Sequence, residues 1–117
     1  MSNPQNEDAH VRHIKSLITE HRDFPKQGIL FRDIFPVLRD PCAAEMLFTD
    51  FTSHLQRCFG TDVDVVVGVD SRGFIFAPIL AARLGAAFVP VRKKGKLPGE
   101  CHNVAYTTLL LHSARAL

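Results

Sequence analysis

Apolar positions along this chain recur first at helical spacing and later in unbroken runs. Val11, Ile14, Leu17 and Ile18 fall three and four apart, so residues 10–22 are expected to form an amphipathic helix, ended by Asp23, Pro25 and Gly28. The stretch ILFRDIFPVL is rich in β-formers but interrupted by Pro36, and reads as a short strand or an extended loop. Asp40 followed by Pro41 is a helix-start pair, a capping carboxylate and a proline for the first turn. Ala44, Leu47, Phe48, Phe51, Leu55 and Cys58 then line one face of a helix expected over 41–59, with Gly60 placed to end it.

Residues 63–69, VDVVVGV, show no polar alternation after Asp64. A strand apolar on both sides predicts cover on both faces, as in a central parallel strand. A helix over about 74–84 follows, with Pro78 acceptable only near its start. Gly85 ends it, and AAFVPV gives another strand. Helix, strand, helix, strand is the rhythm of an α/β doubly wound sheet, a parallel sheet flanked by helices. Ligands of such sheets sit beyond the carboxyl ends of the strands. Two loops fall there, DSRGF and RKKGKLPGE.

Composition narrows the function classes. At 117 residues the chain makes one domain, able to bury roughly two thirds of its unfolded surface. A formal net charge of +2 is too mild to argue for nucleic acid or membrane partners. Cys42, Cys58 and Cys101 form no CxxC and are widely spaced, which fits free thiols in a reducing compartment better than disulfides or zinc. The six histidines include no HExxH. Residues 1–9 are polar and acidic and read as a disordered start, without the pattern of a signal peptide. No apolar run approaches a membrane span. The expected location is cytoplasmic.

The two loops carry the chemistry. A tight turn after a buried strand exposes backbone N–H groups, and the following helix adds its positive end, so DSRG has the makings of an anion cradle. Gly73 lets the backbone approach a ligand, and Arg72 offers a planar fork of donors to a phosphate. Asp70 is suited to orienting Arg72, holding a hydrated magnesium ion or accepting a ribose hydroxyl; the plainer alternative is that Asp70 and Ser71 cap the helix. In RKKGKLPG, Arg92, Lys93, Lys94 and Lys96 precede a Pro-Gly turn. Alone, this reads first as a solvated charged loop or a nuclear-import-like patch. Beside DSRG on one sheet edge, it suits a polyanion such as pyrophosphate.

Three segments, DFPKQGILFRDIFPVLRDP, VVVGVDSRGFIFAPILAARLG and VPVRKKGKLPGE, in this order and spacing, resemble adenine phosphoribosyltransferase, a type I phosphoribosyltransferase. The resemblance runs from about Phe24 to Gly99, roughly the family's N-terminal half. It implies a partial type I fold: a hood segment at 24–38, a sheet core with phosphate loops at 61–99 and an atypical tail at 100–117, all in one domain over 10–117. It implies the joining of adenine and phosphoribosyl pyrophosphate to give AMP and pyrophosphate, with Mg2+ accompanying the donor and no metal ligand from the protein. The implied state is a homodimer. Leu30, Phe31 and Arg32 correspond to hood residues that read adenine. Asp70, Ser71 and Arg72 correspond to the pyrophosphate loop. Arg92, Lys93 and Lys96 correspond to the basic loop beside it, with Arg92 reaching toward a neighbouring subunit. The chemistry agrees with that assignment. Breaking a ribose–pyrophosphate bond builds negative charge on the leaving group, and cations and backbone dipoles aimed there lower the barrier.

Beyond Gly99 the pattern departs. Tyr106 and Thr107 still match the start of the family's mobile loop, but Leu109 stands where the family has a glutamate that handles the purine ring proton. Loss of such a group costs a factor of about a hundred to ten thousand. The family's acidic pair and TGGT-like 5-phosphate loop have no counterpart, since the chain holds no Gly-Gly and its adjacent acids are Glu7 and Asp8. The tail TTLLLHSARAL reads as an unrelated ending, from altered splicing, a frameshift or a gene-model error, with a divergent short protein as the alternative. The expectation is a chain truncated before the 5-phosphate loop, inactive and aggregation-prone by itself. Two further readings stand beside it: a non-enzymatic isoform that binds adenine weakly or joins full-length subunits, and a nucleotide-sensing regulator.

Overall fold

The computed structural model describes residues 4–105, of which 4–7 are described by their backbone alone. In chain order the elements are α1 (Pro4–Leu17), β1 (Thr19–Arg22), β2 (Leu30–Asp33), α2 (Phe35–Arg39), α3 (Pro41–Phe59), β3 (Val65–Val69), α4 (Gly73–Leu84) and β4 (Ala87–Val91). The architecture is α/β, with a small parallel sheet and helices. None of the described helices is long and apolar enough to cross a membrane.

The first helix differs from its expected span of 10–22. It begins at Pro4, inside the stretch expected to be disordered, and stops at Leu17, while residues 19–22 become β1. Tertiary pairing accounts for the early stop. β1 runs antiparallel to β2 with Glu20 opposite Arg32, and Arg32 Nε donates to the Glu20 carboxylate at 3.0 Å. Opposite charges facing across a ladder favour the strand over a helical pattern that Ile18 alone continued past Leu17. Asp23, at φ 58°, shapes the connection, its Oδ1 accepting from the Gly28 N–H at 2.7 Å.

ILFRDIFPVL splits in two. Its first half is β2. Pro36 sits in the first turn of α2, where its missing N–H costs nothing. The Asp33 carboxylate accepts from the Phe35 N–H at 2.9 Å at the junction.

α3 occupies its expected span. Asp40 Oδ1 accepts from the N–H groups of Cys42 and Ala43 at 2.9 and 3.1 Å, two donors the helix cannot satisfy internally. Asp40 Oδ2 lies 3.8 Å from His13 Nε2 on α1. At the far end Gly60, at φ 63°, donates its N–H to Gln56 O at 2.8 Å.

β3 and β4 pair in parallel from Val65↔Ala87 to Val69↔Val91, with α4 as the crossover. α4 lies so close to β3 that a Cβ on Gly68 would stand 2.8 Å from the Phe88 ring and 2.9 Å from Ala77 Cβ. The lone glycine in VVVGV therefore marks a close backbone approach. Pro78 lies inside α4, where its missing N–H removes the bond that would run to the Phe74 carbonyl four residues earlier. Val37, Ala43, Phe48, Ala77, Leu80 and Ala81 are the buried apolar residues. Arg83 of α4 holds α3, donating to the Glu45 carboxylate and to Thr49 Oγ1, with its guanidinium 5.7 Å from the Phe48 ring centre. The Arg83 hydrogen bond holds the Glu45 carboxyl below the usual carboxylate range, against desolvation and with help from Thr49.

One expectation is overturned. β3 is not a strand covered on both faces. Val65, Val67 and Val69 are 47–57% exposed, and Val89 and Val91 beside them on β4 are 45% exposed. Both helices stack on one side, α4 against the sheet and α3 against α4. Among the described residues the other side has no layer, and the sheet holds two strands, each with an open edge.

Candidate functional site

The rim at the carboxyl ends of β3 and β4 is built by two turns. The Asp70 N–H continues the ladder past Val69, donating to Val91 O at 3.0 Å. The chain then folds over at Ser71 and Arg72. The Phe74 N–H donates to Ser71 O and the Ile75 N–H to Arg72 O, each at 3.1 Å, so α4 starts directly beyond the strand end. Gly73 permits this, because a Cβ there would sit 3.2 Å from the Gly68 carbonyl carbon. Arg72 is the first flanking residue of α4, and no side chain caps that end. The capping alternative for Asp70 and Ser71 is thus not what the structure shows. The positive end of α4 therefore starts at Arg72 without a side-chain cap.

Asp70 serves the other turn. Its Oδ2 accepts from Arg92 Nε at 3.0 Å, and Arg92 Nη1 donates to Lys96 O at 3.3 Å. The Lys96 N–H in turn donates to Lys93 O at 3.1 Å, closing the basic loop. One guanidinium therefore joins the strand end at Asp70 to the loop that carries Lys93, Lys94 and Lys96. Asp70 and Arg92 are each about a third exposed, at 31% and 37%, and residues 92–96 are all exposed. The two turns at this edge carry Arg72, Arg92, Lys93, Lys94 and Lys96, of which Arg92 contacts Asp70, the only acid in the sequence between residues 65 and 99.

The other predicted residues lie elsewhere. Leu30, Phe31 and Arg32 are on β2, in the antiparallel sheet with β1, separate from the β3–β4 ladder. Phe31 stacks edge-on with Phe24, centres 5.1 Å apart. The Arg32 guanidinium is engaged by Glu20. Leu109, with Tyr106 and Thr107, lies outside the described residues. An open hollow of about 610 Å³, lined by Leu55, Phe59, Val65, Val67 and Leu84 among others, sits by β3 and the end of α3, and holds none of the predicted site residues.

No protein-family model matches the chain. Individual proteins do. An adenine phosphoribosyltransferase of Sorangium cellulosum is 54% identical over 96 residues, covering 82% of this chain and 46% of the relative. One from Yarrowia lipolytica is 49% identical over 88 residues, covering 74% and 48%. The crystal structure of the Saccharomyces cerevisiae enzyme, complexed with adenine and an imino-altritol bisphosphate, superposes with a TM-score of 0.77 at 44% identity, over 81% of this chain and 57% of that one. This chain is a homologue of the adenine phosphoribosyltransferases. It spans about half the length of the curated relatives it matches.

Within that family relationship, two features of the site were not anticipated from residue order. The pairing of Asp70 with Arg92, rather than with Arg72, needed the register that sets Val69 beside Val91. Arg92, expected to extend toward a neighbouring subunit, is tied within its own chain at both Nε and Nη1. The role of Gly68 had a readable signal, an isolated glycine inside an apolar strand.

Proposed function

We propose that this chain carries the pyrophosphate-gripping and adenine-reading portions of a phosphoribosyl transfer from phosphoribosyl pyrophosphate to adenine, which yields AMP and pyrophosphate. One observation supports it above the others: the Asp70–Arg92–Lys96 tie, which sets a turn with an uncapped helix start against a loop of cations at one sheet edge. Such an edge is where an anionic leaving group gains most from fixed dipoles and charge-assisted hydrogen bonds. In this reading Arg72, Arg92, Lys93 and Lys96 meet the diphosphate. Leu30, Phe31 and Arg32 of β2 face adenine in the hood. Magnesium enters as part of the donor substrate, and the protein's share is to bind and orient the charged group it neutralises. The family's dimer is carried over as the expected assembly.

These 117 residues hold no Gly-Gly loop for the 5-phosphate, and Leu109 stands at the position of the family's glutamate. Turnover by the residues in hand is therefore expected to stay at background. A second reading, a non-catalytic chain that joins other subunits, is favoured by the uncovered valine face of β3 and β4.

The test is calorimetric titration with pyrophosphate, alongside an assay for AMP from adenine, phosphoribosyl pyrophosphate and magnesium. Pyrophosphate is expected to bind, and Arg72→Ala to weaken it about ten- to hundredfold, the worth of a hydrogen bond to a charged group. Binding indifferent to Arg72 overturns the site assignment. AMP formed at rates above background overturns the expectation of inactivity.

A further inference from the structure

We infer that the Asp70 carboxylate competes with pyrophosphate for the Arg92 guanidinium, so that the acid at the centre of the cationic rim sets the affinity of the site from below. The inference rests on the pyrophosphate reading of the rim and adds how that rim is regulated.

Three observations carry it. First, Arg92 is already engaged: Nε on Asp70 at 3.0 Å, Nη1 on Lys96 O at 3.3 Å. A phosphate that takes the usual two-pronged grip on this guanidinium has to share it with, or take it from, Asp70. Second, the pair is about one third exposed on each side, so water and salt screen it and it opens at small cost. A multiply charged diphosphate is the stronger partner for the guanidinium. Third, Asp70 cannot withdraw far once displaced. Its N–H is held by Val91 O at 3.0 Å, an extension of the β3–β4 ladder, so its carboxylate stays within reach of whatever Arg92 holds. A carboxylate fixed beside a bound diphosphate repels it. Both effects have one sign: the acid lowers affinity. For product pyrophosphate this is useful, since a grip that is too tight slows release.

A purely orienting role for this carboxylate makes the opposite prediction. If Asp70 served only to aim Arg92 at the ligand, neutralising it would loosen binding.

The experiment is calorimetric titration of sodium pyrophosphate into the full 117-residue chain at fixed ionic strength, with far-UV circular dichroism on each variant. Asp70→Asn is expected to tighten binding about two- to fivefold, the range of a partly exposed ion pair. Asp70→Ser, a second neutral replacement, is expected to do the same. Arg92→Gln is expected to weaken binding. In the Arg92→Gln background the gain from Asp70→Asn is expected to shrink, because the contested guanidinium is gone. Weaker or unchanged binding by both neutral variants overturns the inference, as does an equal gain in both backgrounds, which would make Asp70 a bystander charge. Arg72→Ala separates the two levels. If the unaltered chain binds pyrophosphate and Arg72→Ala loses it while Asp70→Asn fails to tighten it, the site reading stands and the competition does not. If the unaltered chain does not bind at all, both fall together.

Discussion

The two faces of the β3–β4 pair are made of similar residues and lead opposite lives. Toward α4, Gly68 is buried, Phe88 is half-buried, Ala77 lies against Gly68, and Leu80 and Ala81 of α4 are buried as well. On the reverse, Val65, Val67, Val69, Val89 and Val91 are about half exposed. Valine is as apolar on one side as on the other, so composition does not decide which side is covered. A partner layer decides it, and only one layer is present among the described residues. The contrast separates what a residue is suited to from what its surroundings supply.

Substitutions sharpen this contrast, starting on the covered side. Leu80→Ala removes a side chain that is 9% exposed and is expected to cost about 2–5 kcal/mol, read as a fall in the urea midpoint. Gly68→Ala forces a methyl within 3 Å of Phe88 and Ala77 and is expected to cost about 1–3 kcal/mol by the same measurement. Val67→Lys on the bare face is expected to change stability by no more than about 0.5 kcal/mol while reducing dye binding to exposed apolar surface and aggregation on warming. A Val67→Lys cost equal to that of Leu80→Ala would mean that the reverse face is covered in solution.

The smallest effect lies where α4 meets α3. Arg83 lowers the Glu45 pKa, so the carboxylate form is favoured in the folded state. This contribution is present above the ordinary Glu range and is lost as pH falls through the depressed folded value. Arg83→Gln is expected to flatten the acid limb of a pH–stability curve slightly, since the pair is at the surface.

Much of this was readable beforehand where a local signal had no competitor. Asp40, Pro41 and Gly60 bracket α3 because each acts through its own backbone and neighbours. The DSRG and RKKGK turns were placed at one edge because parallel strands carry their loops to the same end. β1 was hidden because Thr19–Arg22 becomes a strand only through its pairing with β2, where Glu20 stands opposite Arg32, 12 residues along the chain. Cover on both faces of β3 was over-read, since apolar residues state a need for a layer and not its presence. The engagement of Asp70 with Arg92 was out of reach because it depends on side-chain reach across a parallel register.

Asp40 has a consequence for genetics. One carboxylate starts α3 and also stands opposite His13 of α1. A replacement at this position would register as two lesions in one, and second-site suppressors are expected on both helices. Asp40→Ser, which can restore the cap but not the charge, would rescue the one and leave the other exposed to selection.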